Sequence, residues 1–148
     1  MKLILNNPIF IYAVIFKIIL AFLFSSQYSI DLFLPFLNSV SFENWNPWQS
    51  YYEKGMLDSF PYHGLMLYLL IPFASLGEFL GLSGFLIKIP VLIADFGILI
   101  ILLKLLPNNE NKVLLYYFLN PIIIYGTYIH SQLDIIPTAL LFGSIYFL

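Results

Sequence analysis

The sequence predicts an all-α membrane protein with about four transmembrane helices, plus interfacial or re-entrant helices in a first external loop. Composition carries most of this. Hydrophobic residues fill 61% of the 148 positions and charged residues 9%, against about 45–50% and 25% in ordinary soluble domains. So few charges cannot cover a water-facing surface of this size. Apolar stretches approaching the roughly 20 residues that a spanning helix needs also recur along the chain. Finally, residues 27–61 hold Asp31, Glu43, Glu53 and Asp58 among Trp, Tyr and Phe, the amphipathic mixture that gathers at membrane–water boundaries. The same apolar excess excludes disorder. A net charge of −2 gives no footprint for nucleic acid as a partner. With no Cys in the chain, disulfide, iron–sulfur and thiolate-zinc sites are excluded.

The first predicted span runs from Pro8 to about Ser26, with Asn7 as cap and Pro8 at the first helical position. Lys2 precedes it as in a signal peptide, but Phe24-Ser25-Ser26-Gln27 lacks a small-x-small cleavage site, so an uncleaved anchor is expected. In the following loop, 27–61, one short helix is predicted to start near Asp31 and to carry Leu32, Phe33, Phe36 and Leu37. A second has Asn46 as cap, Pro47 in its first turn and Gly55 as terminator. Residues 62–81 are apolar but divided by Pro72 and closed by Glu78, whereas 84–106 reads as a span despite Lys88, Pro90 and Asp95. After a polar turn at 107–111 comes the segment 112–129, with Asn120-Pro121 inside it. The polar group His130 to Asp134 then precedes a last apolar run, Ile135 to Leu148, which stops without a cap or charged flank. That ending is expected of a chain cut short, or of one whose partner lies elsewhere. No internal repeat or soluble linker is visible, and 1–148 reads as a single membrane domain.

All six basic residues are Lys. Lys2, Lys104 and Lys112 lie beside the N-terminus and the 107–111 turn, which the positive-inside rule places in the cytoplasm, with 27–61 extracytoplasmic. The path from that loop back to the turn then requires an odd number of crossings, so 62–81 is expected to be interfacial or re-entrant. This topology puts Asp31 on the same outer side as His130, Gln132 and Asp134.

Polar groups inside apolar helices are costly unless they find a partner or a wet cavity. Lys17 and Asp95 have similar depth and opposite sign, so an ion pair between their helices is expected; an ion or proton pathway is the alternative. Lys88, two helical turns before Asp95, either snorkels to lipid headgroups or holds a ligand phosphate. Asp31, just beyond a helix end, suits a general base if partly desolvated, and otherwise caps the helix after it. Asp134 before Ile135-Ile136-Pro137 also reads as a cap. His63 and His130 lack HxxxH or HxH spacing, so they read as hydrogen-bonding groups rather than metal ligands. Pro121 deprives the carbonyl of Tyr117 of its helical donor, leaving it to Asn120 or a water.

Read in order, Phe60-Pro61-Tyr62-His63-Gly64-Leu65-Met66-Leu67-Tyr68, then Lys88-Ile89-Pro90 with Asp95, then Leu119-Asn120-Pro121 and Ser131-Gln132-Leu133-Asp134, the chain resembles a known group. It is similar to the N-terminal portion of integral-membrane glycosyltransferases of the GT-C superfamily, especially its mannosyltransferase-like members. These carry an "NP" in one helix, a "GQxD" after it, and a "PYPP"- or "HPP"-like element after the first loop. The resemblance implies transfer of a sugar, with inversion, from a polyprenyl-phosphate-linked donor to an extracytoplasmic acceptor. It implies Asp31 as base, Lys88 as donor-phosphate contact, and His63, Asn120, His130, Gln132 and Asp134 as cavity wall. No cofactor is implied, and a divalent metal is left open. Ser131 stands where the motif has Gly, His63-Gly64 replaces Pro-Pro, and Asp31 lacks the paired acid of many relatives, Glu43 lying twelve residues on. Relatives usually have eight or more spans, so a separate C-terminal half or a homo-oligomer is an expected partner alongside membrane lipids. A transporter or channel component, or a small structural subunit, is the alternative reading.

Overall fold

The computed structural model describes residues 2–40 and 45–148, so Glu43 lies outside the described residues. Among them every regular element is helical and no strand occurs. The α-helices are α1 (Lys2–Leu5), α2 (Pro8–Leu23), α3 (Leu34–Asn38), α4 (Pro47–Glu53), α5 (Gly64–Leu80), α6 (Ser83–Leu86), α7 (Ile89–Leu105), α8 (Glu110–Val113), α9 (Pro121–Ile124) and α10 (Ile135–Phe147). Three π-helical turns, Tyr28–Phe33, Leu114–Phe118 and Tyr125–Ile129, continue or precede them. The chain forms two compact units, one of Met1–Phe24 with Pro90–Leu148, the other of Ser25–Ile89.

In the first unit, α2 begins where its cap is encoded. Asn7 accepts a hydrogen bond from the backbone N–H of Ile9 at 2.9 Å, and Pro8 fills the first position. The helix ends at Leu23, three residues short of the predicted Ser26, because Phe24 turns to extended geometry. Its outer face is apolar and exposed (Ile11, Ile15, Phe16, Ile19, Phe22), while Lys17 is buried. Ala13 packs with Ile4, Leu99, Val113, Leu114 and Phe118. Phe10 meets Phe96 edge-on at 6.1 Å and stacks on Phe118 at 5.9 Å.

The predicted segment 112–129 is not one helix. It breaks at Leu119-Asn120, between a π turn and α9, since Pro121 cannot donate a backbone hydrogen bond. The Tyr117 carbonyl that Pro121 leaves free accepts from the backbone N–H of Asn120 at 3.1 Å. The Asn120 side chain serves both sides of the break: its oxygen caps Ile122 N–H at 2.9 Å, and its amide donates to the Tyr116 carbonyl at 3.1 Å.

In the second unit, helical structure starts at Tyr28 rather than near Asp31, because Ser26 offers its carbonyl and hydroxyl to Ser29 N–H and its carbonyl to Ile30 N–H. Asp31 therefore sits inside a π turn and is no cap. The α4 segment follows its sequence signals. Pro47 opens it, and Gly55, at φ 72°, closes it with the bonds Gly55 N–H to Tyr52 and Met56 N–H to Tyr51, both 2.9 Å. Asn46 makes no side-chain cap bond.

Pro72 does not divide 62–81. It lies inside a continuous α5. Buried Met66, Leu67 and Leu70 before it and Ala74 and Gly77 after it hold one face against α3 and α6, which offsets the lost hydrogen bond. The backbones of α5 and α6 approach so closely at Gly77 that a Cβ there would lie 2.6 Å from Ser83 Cα.

One described helix, Ser83–Leu105, is long and apolar enough by itself to cross a membrane. By comparison α2 has 16 residues, α5 17 and α10 13.

Gly77→Val forces the close α5–α6 approach apart and is expected to cost about 1–3 kcal/mol. Thermal unfolding of the detergent-solubilised chain measures it.

Candidate functional site

The densest polar constellation lies in the unit of Met1–Phe24 and Pro90–Leu148. Lys17, midway along α2, and Asp95, in the first half of α7, are both 0% exposed and form an ion pair, Nζ to Oδ2 at 2.5 Å. The other carboxylate oxygen, Oδ1, accepts from the Tyr117 hydroxyl at 2.9 Å. Oδ2 also accepts a short hydrogen bond from the Tyr128 hydroxyl. The Lys17 ammonium sits 3.7 Å from the centroid of the Phe118 ring and 5.2 Å from that of Tyr128.

This arrangement answers a severe solvation problem. Removing two charges from water costs several kcal/mol for each ion, and mutual attraction repays it only when the remaining lone pairs and protons are also satisfied. Here the carboxylate receives three charged or hydroxyl donors, and the ammonium faces two electron-rich rings. With both charges buried, the cluster ties α2, α7 and the two turns that follow α8 and α9 together.

The π turns supply these donors. In Leu114–Phe118 the Leu119 N–H bonds back five residues to Leu114, and in Tyr125–Ile129 the His130 N–H bonds to Tyr125, each at 2.8 Å. Each widened turn holds one residue more than an α-turn, so it re-aims the side chains it carries. Tyr117 and Phe118 sit in the first and Tyr128 in the second. No motif in the sequence singles out the hydroxyl of either tyrosine. Their spacing of eleven residues would make three turns of an unbroken α-helix, but the break at Asn120-Pro121 and the two π turns intervene, so the spacing gives no usable signal.

The remaining predicted residues are not members of the Lys17–Asp95 ion pair. Within Ser25–Ile89, Asp31 is exposed on its π turn, and His63 is exposed at the start of α5, where its carbonyl rather than its ring caps Met66 N–H. Lys88 occupies the turn between α6 and α7 and is 1% exposed, which rules out the snorkelling alternative. Within the other unit, Asn120 is engaged at the helix break, and His130 is half-buried with its ring 6.1 Å from that of Tyr125. Gln132 and Asp134 are exposed, with Leu133 buried between them. Asp134 makes no side-chain cap on α10; its carbonyl accepts from the Thr138 hydroxyl at 2.7 Å. Among the described residues no three His, Asp or Glu side chains converge as a metal site would require.

Ser131 has a geometry its residue type does not favour. Its φ is 61°, in the left-handed region, and the next N–H, that of Gln132, closes the turn on the Gly126 carbonyl at 2.9 Å. This is where helices commonly end on glycine.

Two substitution sets test these assignments by thermal unfolding. Asp95→Asn is expected to cost about 3–5 kcal/mol by stranding the Lys17 ammonium, and Lys17→Met is expected to restore part of that loss in the double variant. Ser131→Gly is expected to stabilise by about 1 kcal/mol, through relief of the left-handed strain. Comparison with known proteins gives no match for this chain, whether to a family model, a curated protein or a solved structure.

Proposed function

We propose that the chain is a membrane-embedded glycosyltransferase of the GT-C type, or the N-terminal portion of one. It passes a sugar from a polyprenyl-phosphate-linked donor to a hydroxyl on an extracytoplasmic acceptor. The observation that carries this reading is the left-handed backbone of Ser131, immediately before exposed Gln132 and Asp134. The motif that this stretch resembles has glycine at that position, the residue that adopts such a backbone without strain. Ser131 thus holds a backbone form that suits glycine, and the helix break at Asn120-Pro121 precedes it in the expected order.

Embedding in a bilayer is supported by the inside-out character of α2, which exposes Ile and Phe and buries its lysine. It is supported also by the span-length helix Ser83–Leu105. The proposed topology has about four spans, with the N-terminus cytoplasmic and 27–61 outside, following the lysine distribution. Membrane lipids are then partners, and a separate C-terminal half or a second copy of the chain is the proposed protein partner.

In the proposed reaction, exposed Asp31 takes the proton of the acceptor hydroxyl. The oxygen attacks the anomeric carbon from the face opposite the lipid phosphate, and the bond from that carbon to the phosphate oxygen breaks with inversion. The resemblance assigns Lys88 to the charge on the departing phosphate, a contact that its burial in this structure does not offer. Of the residues the resemblance names for a cavity wall, His63 belongs to Ser25–Ile89, and Asn120, His130, Gln132 and Asp134 belong to the other unit. The complete pairing of Lys17 and Asp95 favours a structural role for them over an ion pathway.

Membranes containing the chain, supplied with radiolabelled polyprenyl-phosphate hexoses and a lipid or glycan acceptor, test the proposal. Asp31→Asn is expected to lower transfer about 10²–10⁴-fold, while Asp58→Asn leaves it near wild type. Equal transfer by Asp31→Asn and wild type removes Asp31 from the base role. Absence of transfer from every polyprenyl-phosphate hexose removes the reading itself.

A further inference from the structure

The short helices of Ser25–Ile89 build a pocket that the proposed reaction does not use. Phe36 and Phe60, both buried, stack with centroids 5.1 Å apart and planes 9° from parallel. Trp48 and Tyr51 stand at 64° to the Phe36 ring, at 5.4 and 4.8 Å. Exposed Tyr52, Met56 and Leu57 complete the lining of a cavity of about 130 Å³. That is the space of about four waters, the size of a compact branched group.

Five of these seven side chains are aromatic, and ring faces attract cations through their quadrupole. Tyr51 already draws one, the Lys54 ammonium lying 5.4 Å from its centroid. Glu53 and Asp58 outnumber Lys54 over 45–62, so the surroundings carry excess negative charge. A sugar of similar size would need amide or carboxylate partners reaching inward, but Gln49 and Glu53 are bonded to each other at 3.2 Å. A methylated ammonium needs no such partners. Its charge is served by the rings, and its methyl groups are apolar.

We propose that this aromatic box binds a quaternary ammonium group, carried either by a phosphocholine-type lipid headgroup or by a soluble methylated amine.

Trp48 reports occupancy in the full chain carrying Trp45→Phe, reconstituted in phosphatidylglycerol nanodiscs and titrated with choline chloride against matched sodium chloride. Choline is expected to change the emission saturably. Its neutral isostere 3,3-dimethylbutanol, with carbon in place of nitrogen, is expected to bind about tenfold more weakly. Tyr51→Leu is expected to weaken choline binding about tenfold, and Tyr51→Phe, which keeps the ring face, to retain it. Equal affinity for choline and its isostere, or no saturable response to choline, overturns the proposal, and neither result depends on how the variants fold. Phosphatidylcholine nanodiscs separate the two sources. A large loss of apparent choline affinity there identifies the lipid headgroup as occupant, and unchanged affinity identifies a soluble amine.

Discussion

A lysine in the middle of an apolar helix sets the constraint that organises the larger unit of this protein. Lys17 lies on the inner face of α2, and its ammonium must be paired where no water reaches it. Asp95 supplies the opposite charge. That carboxylate in turn has more acceptor capacity than one ammonium fills, and Tyr117 and Tyr128 take up the remainder. Phe118 closes the other side of the ammonium with its ring. Each group is present because its neighbour would otherwise be left with an unmet charge or lone pair, a cost that low dielectric surroundings magnify.

The backbone bends to serve this cluster. Two π turns, rare elements in any protein, flank one proline break, and all three lie between Leu114 and Ile129. The break is repaired within its own residues: Asn120 uses its backbone N–H and both ends of its amide on neighbouring main-chain groups. The second π turn delivers Tyr128 inward and hands the chain to left-handed Ser131, from which Gln132 and Asp134 emerge exposed. The buried cluster and the exposed polar motif are therefore built by one continuous stretch. A fixed interior anchors a polar segment whose side chains stay open to the surroundings.

Ser25–Ile89 is organised on different terms. Its interior is aromatic rather than ionic, with Phe33, Phe36, Phe60 and Tyr62 in mutual ring contact. Two of its helices are closed by glycine. Gly55 ends α4 and Gly81 ends α5 in the left-handed conformation, the latter with Leu82 N–H bonded to the Gly77 carbonyl at 2.8 Å. Aromatic side chains suit such a unit because each brings large contact area on few rotatable bonds.

Local chemistry alone specified a good deal. The all-helical class follows from composition, and the start of α2 from Asn7-Pro8. The turn after α4 follows from Gly55, and the meeting of Lys17 with Asp95 from their depth and sign, because a buried charge admits few solutions. Where the sequence reading fell short, the deciding terms were long-range. Pro72 carries every local mark of a divider, yet packing on both sides of it keeps α5 whole. Asp31 resembles a cap, but Ser26 reaches the free N–H groups first. The hydroxyls of Tyr117 and Tyr128 carry no mark in the sequence, because a π turn leaves no local signature and only the finished packing rotates them onto Asp95. Lys88 had the length to reach a surface, and only the tertiary structure buried it.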